Sequence, residues 1–222
     1  MDQVALITGA SRGLGKIIAT FLAGRGDKLI ITARGREALA QVATELAGFG
    51  VEVIAMPGDV SDPAHQQRLV AAAQQMGRLD RLFNNGRSSG LLTSAAVLGP
   101  SPSPPLADYP LETLEQVLAV NLLAPLGLIQ TALPLLKASH GLVVNISSDA
   151  AVGGYPGWGG YGASKAALDL VSLTLANELR EQGVAVVSVD PGDMRTQMQQ
   201  EAFPGEEIGD RPLPEPPRED RN

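Results

Sequence analysis

Six short apolar runs, at residues 4–8, 28–32, 51–56, 79–84, 142–146 and 184–189, alternate with five stretches of helical period, at 14–25, 37–49, 64–76, 111–138 and 163–182. Few folds accept that order. Strands separated by a dozen or more residues are not hairpin partners, so they run parallel, and each crossover passes right-handed over the sheet. The runs are apolar almost throughout rather than alternating, as suits strands covered on both faces. The chain is therefore read as α/β, a doubly wound parallel sheet of six strands in a single domain over residues 1–200, with a tail at 201–222. Its 222 residues, 44% hydrophobic and 18% charged, can supply one sizeable core.

Charge narrows the partners. The formal net charge is −7, and the tail alone, with seven acidic residues and three arginines, holds −4 of it. No basic stripe remains in either part, which argues against nucleic acid. Five prolines in 201–222, with that charge density, oppose a packed element there. No run reaches the roughly eighteen uninterrupted apolar residues of a membrane span. The first strand begins at Val4, too early for a secretory signal to precede it, so the cytoplasm is the expected location. There is no cysteine, hence no disulfide and no thiol nucleophile. His65 and His140, the two histidines, lack carboxylate or imidazole companions, and no metal site is expected.

The first strand runs into Thr8-Gly9-Ala10-Ser11-Arg12-Gly13-Leu14-Gly15 and then a helix. Glycines at such a junction let the backbone approach a pyrophosphate, and the helix N-terminus offers unpaired N–H groups to it. A dinucleotide is the implied ligand. At the end of the second strand an NAD site generally carries a carboxylate for the ribose hydroxyls; here the chain has Ala33-Arg34. A guanidinium would instead grip a 2′-phosphate, which points to NADP(H) over NAD(H).

Residues 145–165 read Asn-Ile-Ser-Ser-Asp-Ala-Ala-Val-Gly-Gly-Tyr-Pro-Gly-Trp-Gly-Gly-Tyr-Gly-Ala-Ser-Lys. The segment leaves an apolar strand, crosses a glycine-rich loop and reaches Tyr161 and Lys165 as a helix begins. Four residues apart, those two side chains share a helix face. An ammonium beside a phenol favours the phenolate, so Tyr161 has the profile of a general acid-base. Ser148, at the mouth of the strand, could return its hydroxyl to the same substrate oxygen.

Ser148 with Tyr161-Gly-Ala-Ser-Lys165 resembles the signature of the short-chain dehydrogenase/reductase family, and the Gly-x-x-x-Gly-x-Gly spacing at residues 9–15 is similar to its classical branch. The resemblance implies a Rossmann-like fold and an oxidoreductase that moves hydride between NADP(H) and a small carbonyl or alcohol. It implies that Ser148 polarises the carbonyl, Tyr161 exchanges the proton, Lys165 assists Tyr161 and binds the nicotinamide ribose, and Asn121 steadies a proton relay. For the cofactor it implies contacts from Gly9, Ser11, Arg12, Gly13, Leu14, Gly15 and Arg34, from Asp59 and Val60 to adenine, and from Asn84 and Gly86 beneath the ribose. Pro191, Gly192, Met194 and Thr196 would face the carboxamide. Many members of the family are dimers or tetramers, and the apolar helices at 111–138 and from Tyr161 onward could supply the shared face.

The chain departs from the family at two places. Asn84-Asn85-Gly86 lacks the alanine of the usual Asn-Asn-Ala-Gly turn, and no apolar run follows 189 to form the customary seventh strand. The segment 87–110, with prolines at 100, 102, 104, 105 and 110, is expected to wall the substrate pocket. These departures keep a second reading open: a sensor or scaffold that binds NADP(H) without turnover.

Overall fold

The computed structural model describes residues 3–85 and 104–192, with single positions at Glu207, Gly209 and Pro212. Its strands are β1 (Val4–Thr8), β2 (Lys28–Ala33), β3 (Val53–Pro57), β4 (Arg81–Asn84), β5 (Leu142–Ile146) and β6 (Ala185–Val189). All pair in parallel, in the spatial order β3-β2-β1-β4-β5-β6. The order reverses between β1 and β4. That switch point leaves a crevice outside the carboxyl ends of the two strands, where sheets of this kind bind ligands.

Helices α1 (Gly13–Gly24) and α2 (Arg36–Ala47) cover one face, packing Ala19, Leu22, Leu39, Val42 and Leu46 against Ala5, Ile7, Leu29 and Ile31. On the other face, α3 (Pro63–Gln75), α5 (Ala124–Ser139) and the end of α7 (Gly159–Leu179) bring Leu69, Leu128, Ala132, Leu136 and Leu179 onto Leu6, Ile30, Leu82 and Val143. Successive strand residues alternate between these two cores, which is why Leu6 and Ile7 are both fully buried. Each such side chain contributes about 1.5–3 kcal/mol. The expectation of near-complete burial holds for β1 and β2, whereas β6 lies at the sheet edge and leaves Val187 and Val189 about 40% exposed.

Several boundaries differ from the sequence reading, among them β3, which opens at Val53 rather than 51, and three of the differences have a clear local reason. β4 opens at Arg81 rather than 79, because Asp80 turns its carboxylate to accept the Val4 N–H at 2.8 Å and the Arg78 guanidinium at 2.8 and 2.6 Å. The long helix is interrupted: α4 (Leu111–Leu118) passes into a π-helical turn, Ala119–Leu123, before α5 resumes. Pro125 accounts for the position, since it cannot donate to the carbonyl four residues back at Asn121 and its ring crowds that carbonyl. Finally, a short helix α6 (Ala150–Gly153) forms within the glycine-rich loop, and α7 begins at Gly159, two residues before Tyr161.

By length and composition the span Leu111–Ser139 could cross a membrane. In the fold its apolar stripe of Val117, Leu128, Ile129, Ala132 and Leu136 is spent on the core. Among the described residues there is no seventh strand.

Candidate active site

The glycine loop lies flat on the carboxyl end of β4. Gly9 and Gly13 have φ of +64° and +55°, a region that favours glycine. A Cβ on Gly9 would collide with the Asn85 backbone carbonyl, and one on Gly15 with the Gly9 carbonyl. Asn85 holds the loop from the other side: its N–H donates to Thr8 Oγ1 at 3.0 Å, and its Nδ2 to the Thr8 and Gly9 carbonyls at 3.3 and 3.4 Å. Ser11, Arg12 and Leu14 are half-buried around the amino end of α1.

Beside this loop, at the end of β2, stands Arg34. Its Nε and Nη2 are shielded from solvent and have no hydrogen-bond partner. Burial lowers its pKa from the usual guanidinium value, Asp59 nearby opposes that and Arg12 adds to it. Two cations and one carboxylate therefore converge where the second strand ends. Asp59 Oδ1 accepts from the Ser61 N–H and hydroxyl at 2.9 and 2.7 Å, closing the turn after β3, and Val60 packs partly into the core. Underneath, buried His65 places Nε2 2.8 Å from Thr32 Oγ1.

The carboxyl end of β5 meets α7 at close quarters. Gly162 permits this, since a Cβ there would sit 2.5 Å from the Ala150 carbonyl oxygen; at Gly160 one would meet the Tyr109 ring at 2.5 Å. Tyr161 is 3% exposed and packs with Ala150, Val120 and Trp158, whose ring stands edge-on at 5.8 Å between centroids. Lys165, 8% exposed, extends its ammonium to the Ile146 carbonyl at 2.7 Å, with the Tyr161 ring centroid 5.6 Å away. Ser148, two residues past Ile146, donates to Asp149 Oδ1 at 3.0 Å and accepts the Ala150 N–H at 3.2 Å. The π turn carries Asn121 inward to 2% exposure, where its Nδ2 donates to Ser164 Oγ at 3.0 Å, and Ser164 in turn donates to the Tyr161 carbonyl at 2.6 Å. An apolar hollow of about 250 Å³ opens between α6 and α7, lined by Ala151, Val152, Tyr155, Trp158, Ala163 and Ala166 among others.

Among the described residues, the positions singled out from the sequence lie toward the carboxyl edge of the sheet, and Asn84 spends its side-chain donor elsewhere. Asn84, expected at the ribose, is 3% exposed and turned into the interface with α7: its Nδ2 donates to Asn145 Oδ1 at 2.8 Å, and Asn145 donates to Ser172 Oγ at 2.8 Å. The adjacent Asn85, which the sequence reading passed over, makes the glycine-loop contacts. Asn145 and Ser164 were also missed, although a polar residue inside the apolar run at 142–146 is a readable sign of a buried partner. Pro191 is half-buried, and the Gly192 N–H donates to Asp190 Oδ1 at 2.9 Å. Gly86, Met194, Thr196 and most of 87–110 lie outside the described residues. Among the described residues no three His, Asp or Glu side chains stand together as a metal site.

Comparison with known proteins agrees with this geometry. The short chain dehydrogenase family model matches residues 3–207. A rhamnolipid-biosynthesis 3-oxoacyl-[acyl-carrier-protein] reductase of Pseudomonas aeruginosa is 36% identical over 206 residues, covering 88% of this chain and 74% of its own. The structure of a protein assigned as a short-chain dehydrogenase from Pseudomonas syringae superposes with TM-score 0.86 at 32% identity, covering 96% of this chain and 84% of that one. Another from Shigella flexneri, complexed with NADP, gives 0.84 at 30%, covering 96% and 86%. With a glycine loop at the switch point, the Ser-Tyr-Lys segment at the end of β5 and a family match along nearly the whole described fold, this chain belongs to the short-chain dehydrogenase family of oxidoreductases.

Proposed function

We propose that the protein moves hydride between NADP(H) and a small carbonyl or alcohol, with Tyr161 as the general acid-base. The observation that carries this reading is the joint burial of Tyr161 and Lys165 on the first turns of α7, beside the segment that bears Ser148. When bound, NADP(H) supplies or accepts the hydride. The chain's own task is positioning and proton handling. Lys165, anchored on the Ile146 carbonyl, keeps a positive charge near the Tyr161 ring and favours release of its proton. Ser148 offers a hydroxyl to the substrate oxygen. Asn121, through Ser164, fixes the turn from which Tyr161 projects.

The chain fits the cofactor at two points. Gly9 and Gly15 let the loop fold tightly onto the Asn85 and Gly9 carbonyls, where a Cβ would collide, and so hold its backbone at the amino end of a 12-residue helix. Shielded Arg34 nitrogens without partners, next to Arg12, suit a phosphate dianion on the ribose and favour NADP(H) over NAD(H). As partner in assembly we propose a second copy of the chain, over the stripe of α7 that leaves Leu170 and Leu173 60% or more exposed, together with Leu111 and Leu123. A cytoplasmic setting fits this chemistry.

The test is Tyr161→Phe, assayed by NADPH absorbance over a panel of aldehydes and ketones, with NADPH binding titrated in parallel. Turnover should fall at least a thousandfold, by the usual reach of a lost acid-base group together with its substrate hydrogen bond, while NADPH binding persists. Turnover equal to the unsubstituted protein would overturn the assignment.

A further inference from the structure

We propose that Asp149 selects the substrate, favouring carbonyl compounds with a hydroxyl on the adjacent carbon and rejecting those with a carboxylate there. Ser148 has one proton to give, and it gives it to Asp149 Oδ1 at 3.0 Å. On its acceptor side it takes the Ala150 N–H at 3.2 Å. The other carboxylate oxygen, Oδ2, accepts the Tyr155 hydroxyl at 3.1 Å. Asp149 is exposed, and its Oδ1 lies one hydrogen bond from the hydroxyl that the proposed reading turns to the substrate.

This inference rests on the carbonyl–alcohol reading, in which Ser148 must donate to the substrate oxygen. A hydroxyl has a single proton, so donating to the carbonyl means leaving Asp149. A bound ketone that sets an alkyl group against that carboxylate oxygen would shut water out and leave it one hydrogen bond short. A ketone with a neighbouring hydroxyl offers that oxygen a replacement donor, and every polar group stays paired through the exchange. Hydrogen bonds to charged groups are the stronger kind, and a site built around one discriminates sharply against an analogue that lacks it. A substrate carboxylate at the same position would meet the Asp149 charge directly.

The experiment compares 1-hydroxy-2-butanone with 3-pentanone, which replaces the hydroxyl by a methyl group, on the full chain with NADPH. The unsubstituted protein should prefer the hydroxyketone by about tenfold or more in kcat/KM. Asp149→Ala should erase that preference, lowering the rate on the hydroxyketone and raising it on 3-pentanone as the Ser148 proton is released. Asp149→Asn, which keeps an acceptor but no charge, should retain part of the preference and should also admit 2-oxobutanoate. Saturation-transfer NMR of both ketones with protein and NADP+ reads the same preference without turnover. Should neither ketone be reduced while the hydroxyketone binds better in an Asp149-dependent way, the selection stands and the reductase reading fails. A preference that is the same in the unsubstituted protein and Asp149→Ala, or binding of neither ketone, overturns the proposal.

Discussion

His65 Nε2 stands 2.8 Å from Thr32 Oγ1, and the pair fixes a tautomer. Thr32 spends its proton on the Met56 carbonyl at 2.7 Å, so the histidine must donate from Nε2 and is left to accept the Arg68 guanidinium at Nδ1, 3.3 Å away. Only a neutral ring can do both. Burial first, and then Arg68, hold the His65 pKa below 6.5, against weaker pull from Asp62 and Asp59. Because the folded pKa is the lower one, the unfolded chain takes the proton first. The stabilisation is complete above the unfolded pKa and is lost as pH falls from there through the folded value. The urea midpoints of the unsubstituted protein and His65→Gln should differ most at pH 8, by the equivalent of about 1–3 kcal/mol, and converge as pH drops below about 6.5. A gap that stays constant with pH would contradict the neutral-ring assignment.

Gly9→Ala puts a methyl group against the Asn85 backbone carbonyl at a residue whose φ is +64°. A flexible side chain could yield, but a backbone carbonyl directly after β4 cannot without moving the glycine loop. NADPH affinity is therefore expected to fall by at least tenfold, together with a loss of about 1–3 kcal/mol in stability from overpacking. Fluorescence titration of NADPH and a urea melt measure the two effects. A melt that shifts while NADPH affinity stays unchanged would place the loop away from the cofactor.

Much of the fold was legible in the sequence because its strands are short, apolar and bounded by helices of clear period. The parallel sheet covered on both faces follows from that alternation, whereas the strand order does not, since more than one doubly wound order satisfies it. That Tyr161 and Lys165 share one helix was legible from their spacing of four. The site was illegible where the backbone decides. The π turn at Ala119–Leu123 has the same composition as a helix, and only Pro125 hints at it. Gly159 and Gly160 read as loop, yet they are helical because Leu106 and Tyr109 pack where their side chains would have been. Which of Asn84 and Asn85 holds the glycine loop was illegible for the same reason. Neighbours on a strand face opposite ways, so a boundary moved by one residue reverses which asparagine points where.

At the opposite edge of the sheet from the site, Asp80 ties the start of β1 to the approach of β4. It is 7% exposed, accepts the Val4 N–H and engages Arg78 through both oxygens. Asp80→Asn removes the charge and converts one acceptor into a donor facing other donors. A loss of about 2–3 kcal/mol is expected, as for hydrogen bonds to a charged partner, and it should appear as a lower urea midpoint with an unchanged slope. NADPH affinity should be untouched, because the residue lies at the amino ends of the strands.

In the proposed NADP(H) reading, Arg34 is the residue that meets the 2′-phosphate. Its Nε and Nη2 are enclosed without a partner, an arrangement that costs stability in the free protein and favours any ligand able to supply two acceptor oxygens. A 2′-phosphate does so, and the ribose hydroxyls of NAD(H) do so poorly. Arg12 adds positive charge from the glycine loop, while Asp59 limits the excess. Arg34→Ala should therefore weaken NADPH about tenfold to a hundredfold, in keeping with the loss of charge-assisted hydrogen bonds, and change NADH by less than about threefold. The comparison belongs at fixed ionic strength, since the long-range part of the attraction is screened by salt. Fluorescence titration of both cofactors on both proteins gives the four constants. Equal weakening of NADPH and NADH would mean that Arg34 holds the β2 end together rather than reading the phosphate.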